Sequence, residues 1–490
     1  MNVLLLSMPD SFEHMPAVAI RIPNGALATL AGNVDPHHRV FIADLILVQG
    51  SVRATVSHLV REIEPDVVGL SVMTFQRATA LKLARLVKQV RPHARIVVGG
   101  YDPSLAPEAY AGLPEVDFIV RGEGEQTFCQ LLRALESGGD ASAVAGLHNT
   151  APRPIMTLRS APPRLPNRAA RILRGYTLLG RTVDVVETSR GCTYDCSFCS
   201  IIEMRGRNFH PYAIDRVLAD IADARAHGAE AIFLVDDNIT LNVTRFEELC
   251  RAIADAGFSD TDFLVQAMTA PLAQHGATLA PLMKRAGFRY VFLGIENIVD
   301  DDLKFLRARA KNARREGGRT IGNASITAIE HLHRHGMFVV GGLIVGSPDD
   351  TRESVEANLE FAREYIDWPY IQHPTPYPAT PMTAEFRSRG LIVDEDPNHY
   401  DGTTAVVRTE HLNADDLEFM RWRVERWIKL RHFPAALLHS PSFVLRHWRD
   451  MLGHTFAGTT LKSLLGLESA RDVFERYRAS RRRERERVVA

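Results

Sequence analysis

The segment SRGCTYDCSFCS, residues 189–200, holds three of the five cysteines of the chain, Cys192, Cys196 and Cys199. Thiolates are soft ligands that suit iron–sulfur clusters, zinc and copper(I). A structural zinc site normally combines two spaced pairs of ligands, and no second pair lies near this segment. A redox Cys-x-x-Cys motif would leave Cys192 without a role. Three thiolates on one loop can instead hold three irons of a [4Fe–4S] cluster with the fourth iron open, so the spacing favours a catalytic cluster.

Length and composition indicate a globular protein of two or three domains. The 490 residues are 46% hydrophobic and 24% charged, which suffices for large buried cores. Lys and Arg number 58 against 59 Asp and Glu, a net charge of -1, so no basic field for nucleic acid is expected. An odd number of cysteines, three of them clustered, argues against a secreted disulfide framework.

The first residues, MNVLLLSMPDSFEH, predict a β-strand. Their apolar run has neither a basic segment before it nor a small-residue cleavage site after it, so it does not resemble a signal peptide. No run approaches 18 uninterrupted apolar residues, and a transmembrane helix is not expected. We therefore expect a cytoplasmic protein.

Residues 1–148 alternate short apolar runs with amphipathic helical patterns. NVLLLSM, RVFIADLILV, DVVGLSVM and RIVVGG predict strands, and ATALKLARLVKQVRP predicts a helix between two of them. This alternation predicts a doubly wound, Rossmann-like parallel sheet. Ligands of such sheets bind at the carboxyl ends of the strands, where SVMT, GGYDPS and RGEGE supply small and turn-forming residues. Ordinary βα turns are an equal alternative at this point.

The rest of the chain divides into three regions. Residues 149–180 are rich in Pro and Arg and predict an extended linker with little core of its own. About six βα units over residues 181–388 predict a partial or complete TIM-type barrel, whose chemistry belongs at the carboxyl ends of its strands. The basic insertion at residues 307–323 predicts a solvated loop. Residues 389–490 predict a helical C-terminal region.

The C-terminal region carries no motif that identifies a ligand. Its last residues, RDVFERYRASRRRERERVVA, end in a charge run and predict a frayed, solvated helix. FVLRHWRDMLGHTF, residues 443–456, leaves two interpretations open: a packed helix, or one that faces a membrane surface or an apolar substrate.

SRGCTYDCSFC, with Phe198 before its last cysteine, resembles the motif of the radical S-adenosylmethionine (SAM) superfamily. The resemblance covers residues 181–385 and implies a partial (β/α)6 TIM-type barrel. It implies that SAM binds the open iron through its amino and carboxylate groups and that one electron cleaves it to a 5'-deoxyadenosyl radical. The SAM-binding residues that it implies are Phe198, Asp236, Asp237, Asn238, Gln266, Glu296 and Gly346. The turn TPYPATPM departs from the PYPGTP of many relatives, because Ala379 replaces a glycine.

EPDVVGLSVMT, VVGGYDPSLAPE and VDFIVRGEGEQTF resemble the cobalamin-binding domain of the B12-dependent branch of this superfamily. The resemblance covers residues 1–145 and implies that residues 1–148 bind cobalamin. The contacts that it implies are Ser71, Met73, Thr74, Gly99, Gly100, Tyr101, Gly122, Glu123 and Gly124. A D-x-H-x-x-G motif is absent, and Tyr101 and Asp102 stand where many relatives have a histidine. His37 and His38 lie on a turn between a helix and a strand and are predicted to be surface residues rather than cobalt ligands.

The combined resemblance predicts a cobalamin-dependent radical SAM enzyme, most simply a C-methyltransferase that acts on an unactivated carbon. CSIIEMRGRNFHPY after the cluster is similar to the hopanoid methylase and bacteriochlorophyll cyclase branch. The implied partners are a small-molecule or lipid substrate and an electron donor such as flavodoxin or ferredoxin, with peripheral membrane contact as a further hypothesis. Tyr194 is a candidate hydrogen donor or cobalt-facing residue, with ordinary packing as the alternative. Cyclisation or rearrangement without methyl transfer, a non-catalytic cobalamin or cluster sensor, and a zinc site stay open as alternatives.

Overall fold

Two parallel β-sheets organise the part of the chain that the computed structural model describes, residues 1–10, 19–148, 163–316, 319–439 and 441–487. Five strands form the first sheet and six form the second. In chain order the strands are β1 (Asn2–Ser7), β2 (Arg39–Asp44), β3 (Val67–Ser71), β4 (Arg95–Gly99), β5 (Phe118–Ile119), β6 (Val183–Val186), β7 (Ala231–Leu234), β8 (Asp262–Met268), β9 (Phe288–Glu296), β10 (Phe338–Ile344) and β11 (Trp368–Gln372).

Helices connect these strands and build the C-terminal region. The longer helices are α1 (Gly25–Asn33), α2 (Val52–Ile63), α3 (Arg77–Val90), α4 (Gly124–Ser137), α5 (Ile214–Ala226), α6 (Val243–Asp255), α7 (Thr269–Ala286), α8 (Ser325–Arg334), α9 (Arg352–Tyr365), α10 (Pro381–Ser388), α11 (Ala414–His439), α12 (Pro441–Thr455) and α13 (Ala470–Arg487). Shorter helices span Tyr101–Leu105, Ile201–Arg205, Asp300–Phe305, Arg309–Asn312 and Leu461–Leu464. Short strands span Ile20–Arg21, Thr177–Leu178, Ser189–Arg190, His210–Pro211, Ala313–Glu316 and Arg319–Asn323.

The first sheet has the strand order β2-β1-β3-β4-β5, and every neighbouring pair is parallel. Helices α2 and α3 cover one face, and α1 and α4 cover the other. A sheet buried on both faces has near-continuous apolar strands, and Val3–Leu6 in β1 is such a run. The predicted doubly wound, Rossmann-like sheet is confirmed.

In the second sheet, strands β6 to β11 are neighbours in chain order and all parallel. Helices α5 to α9 pack their apolar faces against it. The start of α9 is fixed by Thr351, whose side chain accepts a hydrogen bond from the N–H of Ser354. Among the described residues β6 and β11 do not pair, as expected for the predicted partial (β/α)6 barrel.

The predicted linker is more tightly packed than its composition indicates. Residues 149–162 lie outside the described residues, but Arg168 is only 1% exposed. Its guanidinium contacts the carboxylates of Asp184 at 2.9 Å, Asp220 at 2.7 Å and Asp223 at 2.7 Å. A buried charge persists only when it is paired in this way. The expectation of an extended segment with little core is therefore wrong for this stretch, because one arginine ties it to the barrel.

The C-terminal helices combine a packed side with an apolar exposed one. Phe474 of α13 is fully buried, with its ring centroid 5.4 Å from that of Trp422 in α11, so the prediction of a merely solvated tail is wrong for this part of α13. Leu438, Leu445 and Trp448 are exposed. No helix in the described ranges is both long enough and apolar enough to cross a membrane.

Candidate active site

The loop that follows β6 opens into a cavity of about 230 Å3 at the carboxyl ends of the barrel strands. All three clustered cysteines line this cavity. The other lining residues are Tyr194, Phe198, Ile201, Ile202, Asp237, Asn238, Gln266, Ala267, Met268, Phe292, Gly294, Glu296, Lys311, Gly342, Leu343, Ile344, Tyr370 and Gln372. The cavity thus combines thiols, a few polar groups and largely apolar walls.

Gly191 sets the direction in which the loop enters the cavity. Its φ of +89° is a left-handed conformation, and a Cβ atom there would lie 2.3 Å from Asn208 Oδ1. Only glycine fits such a close approach. Its N–H donates to Asp237 Oδ2 at 2.7 Å. The glycine before Cys192 is therefore required for the loop to fold against the end of β7.

The second half of the loop is anchored by Ser197, which directly follows Cys196. The N–H of Ser197 donates to the Leu306 carbonyl at 3.0 Å, and its hydroxyl donates to the Phe305 carbonyl at 2.9 Å. The Ser197 carbonyl accepts from the N–H of Met382 at 2.9 Å. These bonds hold Cys196 and Cys199 against two later segments of the barrel.

The thiols themselves fit a multi-iron cluster better than a single ion. Tetrahedral zinc with Zn–S bonds of about 2.3 Å places its sulfurs roughly 3.8 Å apart. Within the described chain, the three sulfurs of the loop do not form a set whose members all lie within 4.8 Å of one another. Burial raises the pKa of Cys196 to about 11 and that of Cys199 to about 12, so metal binding there must release protons.

Lys311 and Glu296 form a buried ion pair inside the cavity, with Lys311 Nζ 2.6 Å from Glu296 Oε1. The same ammonium lies 5.8 Å from the centroid of the Phe198 ring. Burial alone would lower the pKa of Lys311, but the Glu296 carboxylate and the nearby thiols raise it, so the lysine is charged. Glu296 has a φ of +60°, a strained conformation that concentrates at functional sites.

Lys311 was not among the predicted site residues. It lies in the basic insertion, which forms the helix Arg309–Asn312 and the hairpin strands Ala313–Glu316 and Arg319–Asn323. The prediction of a solvated loop is therefore wrong for the first part of the insertion. A lysine among five arginines carries no local signal that it turns inward.

The predicted SAM-binding residues divide into two groups. Phe198, Asp237, Asn238, Gln266 and Glu296 line the cavity, and their role in binding stays a prediction. Asp237 also contacts Arg205 at 2.6 Å, and the Asn238 amide donates to Cys192 Sγ at 3.5 Å. These contacts place polar groups directly beside the thiols.

Asp236 and Gly346 do not line this cavity. The Asp236 carboxylate accepts hydrogen bonds from the N–H and the hydroxyl of Thr188 at 2.7 and 2.6 Å and from the Ser189 hydroxyl. Burial raises its pKa to about 6. The N–H of Gly346 donates to Asp350 Oδ2 at 2.8 Å. Both residues shape loops around the cavity rather than face it.

The predicted cobalamin contacts gather at the carboxyl edge of the first sheet. Adjacent strands end at Ser71 and Gly99, which are register partners. Gly100 has a φ of +107°, and a Cβ atom there would lie 2.8 Å from the Val72 carbonyl oxygen. The N–H of Gly122 donates to Ser104 Oγ at 2.9 Å. The predicted contacts, all at or just beyond the strand ends, are Ser71, Met73, Thr74, Gly99, Gly100, Tyr101, Gly122, Glu123 and Gly124, and their role in binding stays a prediction.

Gly99, Gly100, Gly122 and Gly124 at this edge allow the backbone to approach a ligand closely. Asp102, at the position where relatives have a histidine, is fully buried and accepts from Arg77 at 2.8 Å and from Tyr110. It is therefore committed to the fold. His37 and His38 precede β2 at the opposite edge, so neither reaches a ligand at the carboxyl ends. The prediction that both are surface residues is wrong for His38, which is buried.

Arg190 joins the two edges. Its guanidinium contacts Glu125 at 2.7 Å and Glu123 at 3.3 Å, both at the carboxyl edge of the first sheet. It also contacts Glu187, at the end of β6, at 2.7 Å. Burial, followed by the Asp237 carboxylate, raises the pKa of Tyr101, which reflects how closely the two edges approach. The thiol cavity and the glycine-rich edge therefore face one another.

Two family models match the chain along these two sheets. The B12 binding domain matches residues 25–132, and the Radical SAM superfamily matches residues 186–362. The chain belongs to the cobalamin-dependent radical SAM enzymes. A [4Fe–4S] cluster, SAM and cobalamin are therefore its cofactors, as predicted, and the zinc and sensor alternatives are set aside.

Relatives of this radical SAM enzyme include methylases and cyclases. It is 27% identical to an uncharacterized methyltransferase of Pyrococcus horikoshii over 85% of this chain and 90% of that protein. It is 29% identical to the hopanoid C-3 methylase of Methylococcus capsulatus over 64% of this chain and 60% of that protein. It is 25% identical to the anaerobic magnesium-protoporphyrin IX monomethyl ester cyclase of Synechocystis over 88% of this chain and 84% of that protein.

A solved structure shares the fold. The radical SAM methyltransferase TsrM from Kitasatospora setae, with cobalamin and a [4Fe–4S] cluster bound, superposes with a TM-score of 0.62. The identity is 19%, and the match covers 85% of this chain and 80% of that one. The arrangement of a Rossmann-like sheet before a partial barrel is thus the same in both.

Proposed function

We propose that this enzyme is a C-methyltransferase that replaces a hydrogen on an unactivated carbon of a small-molecule or lipid substrate with a methyl group. The observation that carries the proposal is the apposition of the thiol cavity and the glycine-rich edge across Arg190. A substrate carbon held between them is in reach of both cofactors. The names of the Pyrococcus and Methylococcus relatives support methyl transfer.

Each part of the site has a role in this proposal. Cys192, Cys196 and Cys199 hold the cluster, and the glycine-rich edge of the first sheet holds cobalamin. When bound, the cluster and SAM supply a 5'-deoxyadenosyl radical, and cobalamin supplies the methyl group. The protein contributes position and exclusion of water rather than bond-breaking groups.

The charged residues of the cavity orient SAM. The Lys311 ammonium, next to the cysteines, attracts the carboxylate of SAM, while Asp237 and Glu296 attract its amino group and ribose hydroxyls. Such contacts gain strength in a partly dry cavity. The apolar walls, which include Phe292 and Tyr370, exclude water from the radical. Tyr194 lines the same cavity and is the candidate hydrogen donor.

The experiment is anaerobic turnover of reconstituted enzyme with methyl-deuterated SAM and candidate lipid or small-molecule extracts. We expect equal amounts of 5'-deoxyadenosine and S-adenosylhomocysteine and a product that carries one CD3 group in place of one hydrogen. Cys196→Ala is the matched control and should form no 5'-deoxyadenosine. Formation of 5'-deoxyadenosine with an unlabelled product would contradict methyl transfer.

Cyclisation or rearrangement without methyl transfer is the second candidate. It is favoured by the match to the Synechocystis cyclase, which spans 88% of this chain. The two candidates differ in one co-product, because only methyl transfer consumes a second SAM to give S-adenosylhomocysteine. A product mass changed only by loss of hydrogen, or unchanged, would support the second candidate.

The same proposal includes an electron donor, a cellular location and a peripheral membrane contact. Flavodoxin or ferredoxin is the electron donor, because the cluster needs one electron per turnover. The reduced cluster and five unpaired cysteine thiols suit a reducing cytoplasm.

The exposed Leu438, Leu445 and Trp448, flanked by Arg446 and Arg449, suit peripheral contact with an anionic membrane. Co-sedimentation with phosphatidylglycerol vesicles tests this contact, and Trp448→Ser should weaken it.

A further inference from the structure

A second group of metal-ligating side chains lies at the amino edge of the first sheet, away from the candidate active site. His37 and His38 occupy the turn between α1 and β2, and Glu136 is near the end of α4. One ligand atom of each lies within 4.8 Å of the others. This group is set apart from the thiol cavity because β2 starts directly after His38 and runs toward the opposite edge.

The distances within the group suit a small tetrahedral ion. His37 Nε2 lies 3.0 Å from Glu136 Oε2, and His38 Nε2 lies 3.9 Å from the same oxygen. Ligands about 2.0 Å from zinc in a tetrahedron are roughly 3.3 Å apart, so the observed distances bracket the required one. The two imidazole rings are adjacent, with centroids 4.0 Å apart, and both present Nε2 to the carboxylate.

His38 supplies an independent indication that a ligand belongs here. Its side chain is only 1% exposed, yet Nε2 has no hydrogen-bond partner. A buried polar nitrogen without a partner is costly, and native structures rarely keep one. The nitrogen faces the Glu136 carboxylate from beyond hydrogen-bond distance, which is where an ion would sit between them.

The neighbouring polar groups leave Nε2 of His38 as the nitrogen that can take an ion. His38 Nδ1 lies 3.2 Å from the amino group of Met1, whereas Nε2 has no hydrogen-bond partner. Asp35 is held by Arg133 through two hydrogen bonds of 2.6 and 2.8 Å.

We propose that His37, His38 and Glu136 bind one zinc ion that joins the α1–β2 turn to α4, with water as the fourth ligand. Two imidazoles and one carboxylate are a known ligand set for zinc. The ion would stabilise α4, whose first turn includes Glu125, a partner of Arg190. The site is independent of the methyl-transfer chemistry and of the cysteine cluster.

Metal analysis of the holoprotein tests the site. The cluster- and cobalamin-loaded enzyme is incubated anaerobically with zinc chloride, passed through a desalting column and analysed for zinc. We expect one zinc per chain in the wild type and loss of that zinc in His37→Ala and Glu136→Gln. The matched control is His58→Ala, which removes an exposed histidine paired with Glu62 at 3.1 Å but without a second histidine. It should keep the zinc.

The zinc X-ray absorption spectrum identifies the ligands without any variant. The proposed site predicts nitrogen and oxygen scatterers at about 2.0 Å with imidazole outer shells, whereas zinc on the cysteines gives sulfur at about 2.3 Å. His37 and Glu136 are 56% and 43% exposed, so their substitution should preserve the cobalamin absorption spectrum. Absence of bound zinc, equal zinc in His37→Ala and Glu136→Gln, or a sulfur shell would each overturn the proposal.

Discussion

The two carboxyl edges that face one another across Arg190 are built from different materials. At the barrel edge, side chains carry the chemistry: three thiols, the Lys311–Glu296 ion pair, and Asp237 beside Arg205. At the edge of the first sheet, Gly99 and Gly100 shape the backbone where a strand ends, and the carboxylate of Asp102 is paired with Arg77. Parallel sheets bind ligands at this end in both cases. The barrel edge should therefore be sensitive to changes of functional groups, and the first edge to changes of backbone shape.

We expect the largest effect from a variant that abolishes SAM cleavage at the barrel edge and leaves cobalamin binding at the first edge intact. Cys196→Ala removes one of the three proposed cluster ligands and should reduce formation of 5'-deoxyadenosine to background. Cobalamin should still bind, because Cys196 lies on the barrel side of the interface. Iron content and the cobalamin absorption spectrum of the same preparation check both halves of this prediction. Loss of both cofactors would mean that the edges fold as one unit.

Gly100→Ala is the converse change. A Cβ atom at Gly100 would lie 2.8 Å from the Val72 carbonyl oxygen at a φ of +107°, and strain of this kind costs about 1–3 kcal/mol. We expect cobalamin to bind roughly five- to 150-fold more weakly, since 1.4 kcal/mol is tenfold in affinity, while SAM still binds. Gly112→Ala is the control, because Gly112 has a φ of +78° with no atom within 4 Å of the added Cβ. Equal effects of both variants would show that conformation alone, and not the close approach, matters.

Lys311→Met tests the electrostatic character of the barrel edge. Removing the ammonium leaves the carboxylate of SAM without its proposed cationic partner, a loss of about 1–3 kcal/mol, or roughly five- to 150-fold in SAM affinity. Equilibrium dialysis with SAM measures this, and the EPR spectrum of the reduced cluster shows whether the change reaches the iron. Arg309→Met, which removes an exposed cation two residues earlier, should leave SAM affinity unchanged. If both variants lower SAM affinity to a similar extent, the effect comes from the net positive charge of the segment and not from the position of Lys311 in the cavity.

Local patterns were sufficient to predict both sheets and the cysteine loop. Short apolar runs that alternate with amphipathic helical patterns predict parallel sheets. Each strand or helix can be recognised from the spacing of apolar residues within its own segment. The cysteine triad is also local, since its three ligands lie within eight positions. The polar residues directly after β7, such as Asp237 and Asn238, were instead placed in the site by the resemblance to the radical SAM superfamily, and both line the cavity with the thiols.

Residues that turn inward from polar segments could not be predicted this way. Lys311 and Arg168 lie in stretches rich in arginine, and only acidic partners distant in sequence, Glu296 and Asp184, make their burial possible. His37 and His38 are neighbours in one turn, yet one is exposed and the other buried. Burial of a charged or polar residue depends on tertiary partners, and composition points to the surface instead.

The smallest expected effect concerns a carboxyl pair beneath the barrel edge. Burial, followed by the neighbouring Asp350, raises the pKa of Asp302 to about 7, while Asp350 accepts the N–H groups of Gly346 and Ser347 at 2.8 and 2.9 Å. The protonated form of Asp302 is favoured in the folded protein. Its contribution to stability is therefore complete below the ordinary carboxyl pKa and is lost as the pH rises through about 7.

Asp302→Asn keeps the shape of the side chain and removes this titration. Its Tm should fall less than that of the wild type as the pH is raised from about 5 to about 8, by a few degrees at most in a chain of this size. Asp300→Asn, an exposed neighbour paired with Arg309, should follow the wild type. Asp302 supports the turn at Gly346 and Ser347 through Asp350. If the pH dependence of SAM affinity also shifts in Asp302→Asn, then a side chain behind the cavity wall affects SAM binding at the barrel edge. If the Tm and the SAM affinity of the variant follow the same pH dependence as in the wild type, only the side chains that line the cavity affect binding.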